Sequence, residues 1–155
     1  MRHHTGLELN RAEFCNAITA AEVTAMIDLQ VANPFWLSCD ALNIVTPGAY
    51  FDFELSGLDK IFERYRALFA DQSLMILRRA AWICRSPAAQ RHIRHWVDGR
   101  NLREGMSSDV RQFDTFDDAC AWLVLAPQHA PTLETGDGFT EIGRFDMPNA
   151  KPIAR

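Results

Sequence analysis

A chain of 155 residues with 48% hydrophobic and 23% charged side chains has the composition of one ordinary globular domain. Its longest apolar runs, such as Ala119 to Ala126, fall far short of the roughly 20 residues that cross a bilayer, so no integral membrane segment is expected. A net charge of −4 argues against general nucleic-acid binding, and no nucleic-acid partner is expected.

The first residues, Met1-Arg2-His3-His4-Thr5, have no apolar run behind them, so no signal peptide and a cytoplasmic location are expected. Gly6 to Ala17 reads as two short strands, Leu7–Leu9 and Glu13–Ala17, with a turn near Asn10. Thr19-Ala-Ala-Glu22 is a capping box that opens a helix with Val23, Met26, Ile27 and Val31 on one face, and Pro34 lies just past its end. Phe35 to Val45 is apolar and rich in strand formers, and it reads as a strand around the polar break at Cys39-Asp40. Pro47-Gly48 is a turn.

Ser56 reads as the N-cap of a second helix, in which Leu58, Ile61, Phe62, Tyr65, Leu68 and Phe69 recur at helical spacing. Ser73 to Cys84 reads as a strand, and Ser86-Pro87 as the cap and first position of a third helix that Gly99 stops. Asp109 to Asp114 alternates as a strand, and Thr115-Phe-Asp-Asp118 caps a fourth helix through Leu125. Residues 127–155 hold four prolines and three glycines. They are expected to form an irregular tail outside the domain of residues 1–126, docking in part through Phe139, Ile142 and Phe145. The resulting order, β-β-α-β-α-β-α-β-α, predicts an α/β fold: a mixed, largely parallel sheet of about five strands with four helices.

Several of these residues carry a family resemblance. The stretch Arg78-Arg79-Ala-Ala-Trp-Ile-Cys-Arg-Ser-Pro-Ala-Ala-Gln90, followed by Phe113-Asp-Thr-Phe-Asp-Asp-Ala-Cys-Ala-Trp-Leu123, resembles the C-terminal half of STAS-like domains. This is the group of the anti-sigma-factor antagonists, also likened to lipid-carrier domains. Asn16-Ala-Ile-Thr-Ala-Ala-Glu22 is similar to the start of their first helix. The resemblance implies a non-enzymatic regulatory module with a protein partner, or alternatively a carrier of a small apolar or lipid-like ligand. It also implies a phosphorylation site near Ser56-Gly57-Leu58, which matches the second half of the antagonists' D-S-S-G-L motif. Glu54 stands at the motif's aspartate and Leu55 at its first serine.

The residues themselves offer little catalysis. Cys15, Cys39, Cys84 and Cys120 are widely spaced among apolar neighbours, which predicts buried free thiols. Cys84 beside Arg85, with His92 or His95, is the weaker alternative of a cysteine-dependent enzyme. His92-x-x-His95 has a spacing that metals use, but Arg91 and Arg94 flank it, so surface histidines are the expectation. Asp117-Asp118 belongs to a helix first turn, where carboxylates are favoured. No catalytic residue, cofactor or metal is therefore assigned. The least ordinary feature is charge: residues 73–103 hold seven arginines against Asp98 alone. Arg85, Arg91, Arg94 and Arg100 on or beside one helix form a possible face for an anionic partner.

Overall fold

The computed structural model describes residues 1–71, 78–101 and 108–145, with the side chains of 68–71 and 100–101 left aside. In chain order the strands are β1 (Arg2–His4), β2 (Leu9–Phe14), β3 (Ala17–Ile18), β4 (Asp40–Val45), β5 (Tyr50–Phe51), β6 (Arg78–Cys84), β7 (Ser108–Phe113) and β8 (Thr140–Glu141). The helices are α1 (Ala20–Ala32), α2 (Pro34–Ser38), α3 (Leu55–Asp71), α4 (Gln90–Asn101), α5 (Phe116–Trp122) and α6 (Ala130–Thr135). The fold is α/β, with a six-stranded sheet in the order β7-β6-β4-β2-β1-β8. β2, β4, β6 and β7 run parallel, while β1 and β8 are antiparallel additions at one edge.

Strand order explains the layers. From β2 to β7 each new strand is added on the same side, so crossovers of one hand put their helices on one face. α1, α3 and α4 share that face through Val23, Ile27, Phe62 and Ile93, which meet Ala12, Phe14, Val45 and Trp82 of the sheet. The alternate strand residues Leu9, Leu42, Ile44, Ala81 and Ile83 point to the other face. There they pack on Phe116, Ala119 and Leu123 of α5 and on Leu133 of α6. A separate two-strand ladder of β3 and β5 lies after β2 and β4. It carries Phe51 toward the larger core cluster.

Local signals place two helices as the sequence predicts. The Thr19 hydroxyl accepts from the Glu22 amide at 3.2 Å and the Glu22 carboxylate accepts from the Thr19 amide at 2.7 Å. Thr115 accepts from the Asp118 amide at 3.1 Å. Elsewhere tertiary contacts override local preference. Asn10 is not in a turn. It lies inside β2, buried, and donates to the Trp36 carbonyl at 2.6 Å. Phe35 to Ser38 is helix rather than strand, because Pro34 opens a turn on which Leu37 is fully buried. Ser86 does not cap α4, whose first residue is Gln90; its hydroxyl donates to the Ala49 carbonyl at 2.6 Å. Gly99 does not end that helix either. A Cβ there would lie 3.0 Å from Cε2 of Phe62, so it is the ring of α3 that demands a glycine. The predicted start of the third core strand, Ser73 to Leu77, lies outside the described residues.

The C-terminal segment is also corrected. Residues 127–145 form α6 and β8 rather than an irregular tail. Arg11, 4% exposed, holds α6 in place by donating to the carbonyls of Leu133 and Glu134, both at 2.9 Å. Ile142 is fixed by its amide to the Met1 carbonyl at 3.0 Å, and Phe139 packs on the second core. Residues 146–155 lie outside the described set. No described helix is long and apolar enough to cross a membrane.

Candidate functional site

The larger cleft, about 250 Å³, lies where the C-terminal end of β2 meets α1 and the segment after β8. Most of its charges are already engaged. Arg11 pairs with Glu13 and the α6 carbonyls, Glu22 closes the capping box, and Glu141 pairs with Arg144 at 3.1 Å. Cys15 and Asn16 open onto it, Asn16 with a positive φ of 57°.

A second cavity lies between the sheet and the helices of the larger core, lined by Phe14, Met26, Phe51, Trp82, His92 and Trp96 among others. Its free space is about 20 Å³, and the depression counted out to open solvent is about 360 Å³. Strand alternation puts Trp82 of β6 on the same face as Phe14 of β2, and their rings stack at 5.4 Å. Helical spacing puts His92 and Trp96 of α4 on one side of that helix, beside the fully buried Ile93. Trp96 approaches Trp82 at 6.3 Å and stacks on Phe62 at 4.6 Å. β5 supplies Phe51, whose ring stacks on His92 at 5.0 Å.

Two residues of this lining carry unpartnered polar atoms, and Tyr65 and Trp96 add a phenol and an indole. Among the described residues, three buried side-chain atoms lack a hydrogen-bond partner: Nε1 of Trp82, Nδ1 of His92 and Nε2 of His3. Trp82 and His92 both line the cavity. Trp82 is only 6% exposed. The His92 Nε2 lies 2.8 Å from the Phe53 carbonyl, which can only accept, so Nε2 carries the proton. A neutral ring then leaves Nδ1 as a bare acceptor. Buried donors and acceptors are nearly always satisfied in native proteins, so such a pair in one cavity calls for an occupant.

No known family model, curated protein or solved structure matches this chain.

The residues singled out from the sequence are scattered. α3 begins at Leu55, so Ser56 is not its N-cap but an exposed member of its first turn. Half-buried Leu55 packs on the core and sets the helix one residue earlier, while Gly57 donates its amide to the Glu54 carbonyl at 2.8 Å. Gly57 is required by packing, because a Cβ there would lie 2.7 Å from the Phe53 ring. Ser56→Ala should therefore change stability by less than about 0.5 kcal/mol, against the roughly 1 kcal/mol that a true cap loses. Chemical denaturation of the two proteins checks this.

The arginine face does not form as one surface. Arg85 follows β6 toward the opposite side of the sheet, pairs with Glu134 at 3.1 Å and lies over the Phe116 ring at 5.1 Å. Arg91 and Arg94 are exposed on the outer side of α4. The Arg100 side chain lies outside the described residues.

The histidines also part company: His95 meets Asp59 at 3.1 Å, while His92 is half-buried among aromatic rings rather than on the surface. Among the described residues no cluster of His, Cys, Asp and Glu could hold a metal.

Burial pushes the Cys39, Cys84 and Cys120 thiols up, and the Cys84 thiol lies against the Ser86 carbonyl at 3.2 Å. The two groups have different hydrogen-bond partners, the Cys84 thiol donating to the Ser86 carbonyl and His92 Nε2 to the Phe53 carbonyl. Cys15 departs from expectation, being exposed. In the folded protein at pH 8, a thiol-specific reagent should label Cys15 rapidly and the other three only on unfolding. Peptide mapping by mass spectrometry checks this, and rapid labelling of Cys84 would contradict it.

Proposed function

We propose that this domain binds a small, predominantly apolar ligand in the aromatic cavity between the sheet and α1, α3 and α4, as a carrier or sensor rather than a catalyst. The observation that carries this reading is the pair of unpartnered buried atoms, Trp82 Nε1 and His92 Nδ1, on two residues of a predominantly apolar lining. Ligand sites combine apolar walls with a few convergent polar groups in this way. The lining offers no carboxylate, thiol or hydroxyl nucleophile besides the Tyr65 phenol, which supports binding over chemistry. Its half-buried members Met26, Phe51, His92 and Trp96 give it a route to solvent, and the unbranched Met26 can turn aside.

The regulatory reading drawn from the resemblance to anti-sigma-factor antagonists places a protein partner at Ser56, Arg91 and Arg94. Their exposure is compatible with it, but it leaves the two orphaned atoms without a role. Titration with toluene, followed at the indole N–H signals of the four tryptophans, tests the ligand reading. Saturable shifts at Trp82 and Trp96, with Trp36 and Trp122 unmoved, are expected. No response, or an equal drift of all four, would refute it.

A further inference from the structure

We propose that the cavity selects a neutral hydroxyl-bearing ligand, an alcohol or phenol, whose oxygen accepts from Trp82 Nε1–H and donates to His92 Nδ1. This rests on the ligand reading above and specifies its chemistry. The indole nitrogen is a donor only. In the neutral imidazole Nδ1 is an acceptor, because Nε2 donates to the Phe53 carbonyl. Both atoms are buried and unpartnered, and both residues line the cavity.

Few groups answer both from one atom. A hydroxyl does, and the free space of about 20 Å³ suits a single group of that size, since a water needs roughly 10–15 Å³ of such space. A ketone or ether would satisfy Trp82 and leave His92 without a donor. An ammonium would satisfy His92 and leave Trp82 without an acceptor. A carboxylate or phosphate would enter with no lysine or arginine in the lining, and an unpaired buried charge is heavily penalised. The rest of the ligand would lie against the rings of Phe14, Phe51 and Trp96, which favours an apolar or aromatic body.

The test compares phenol, anisole and toluene on the intact protein by titration at the Trp82 indole N–H, with the imidazole nitrogen signals of His92 as a second readout. Phenol is expected to bind about tenfold more tightly than anisole, which leaves His92 without a donor, and more tightly still than toluene, which satisfies neither group. It should move the Trp82 N–H proton downfield, as the ether oxygen of anisole should also do, and shift the His92 Nδ1 resonance, which neither toluene nor anisole should do. In His92→Phe, which keeps a ring and removes the acceptor, the preference of phenol over anisole should vanish. Equal saturable binding of all three would overturn the hydroxyl inference and leave the apolar site standing. A phenol preference that survives in His92→Phe would also overturn it. Binding of none of the three would remove both this inference and the ligand reading, and leave the cavity as the seat of a structural water.

Discussion

Replacing Arg78 by methionine should lower the unfolding free energy by about 3 kcal/mol, the largest loss expected from a single polar side chain here. Arg78 is the first residue of β6 and is buried at 8% exposure. Its guanidinium donates to Ser108 Oγ at 3.3 Å, Gln30 Oε1 at 3.1 Å and the Leu37 carbonyl at 3.3 Å. One side chain therefore joins β6 to β7, α1 and α2. Methionine matches the stem but strands three buried acceptors, each costing about 1–3 kcal/mol. Part of that cost is offset, because the variant no longer buries a charge beside neutral partners. Arg78→Lys should recover less than half of the loss, since one ammonium cannot span three acceptors in a fixed fork. Ser108→Ala, which removes one partner, should cost only about 1 kcal/mol. Urea unfolding midpoints order the three variants. An Arg78→Met protein as stable as the parent would show that packing alone holds these four elements together.

The second large effect is expected at Phe62. The ring is fully buried, stacks on Trp96 at 4.6 Å and presses on Gly99 of α4. Phe62→Ala should cost about 3–5 kcal/mol through lost burial and the space left behind. Gly99→Ala, which in an open helix would gain about 1 kcal/mol, should here cost about 1–3 kcal/mol by overpacking against the same ring. The two changes touch one contact, so they should not add: in Phe62→Ala the alanine at 99 should become neutral or stabilising. A double-mutant cycle measures this coupling. Strict additivity would mean that α3 and α4 separate freely at this point.

The legibility of this fold follows the range of the interactions. Thr19 and Glu22 bond within four residues of each other, so the start of α1 is readable from the sequence alone. The same holds for Thr115 and Asp118 at α5. The alternation of helices and strands gives the parallel sheet. Asn10, Ser86 and Gly99 misled because residues favoured in turns, caps and helix ends were used for distant contacts, with Trp36, Ala49 and Phe62. β8 has two residues, too few to show a period, and is held through β1. α6 is short, and part of its anchoring comes from Arg11, more than a hundred residues earlier.

The cavity was the least legible feature. From sequence, Trp82 reads as ordinary strand core, and His92 reads with His95 as a surface pair. Only the packing of α4 on β6 turns His92 inward and gives both orphaned atoms one lining. The sequence signal was present but faint: His92 immediately precedes the buried Ile93 and sits four residues before Trp96, on the apolar side of α4.

We propose that any ligand of this domain is met in the aromatic cavity and not on the surface of α3 and α4. A crystal structure of the protein soaked with phenol tests it most directly. The ring is expected against Phe14, Phe51 and Trp96, with its oxygen within hydrogen-bonding distance of Trp82 Nε1 and His92 Nδ1. A cavity holding a single ordered water while phenol lies elsewhere, or nowhere, would contradict it.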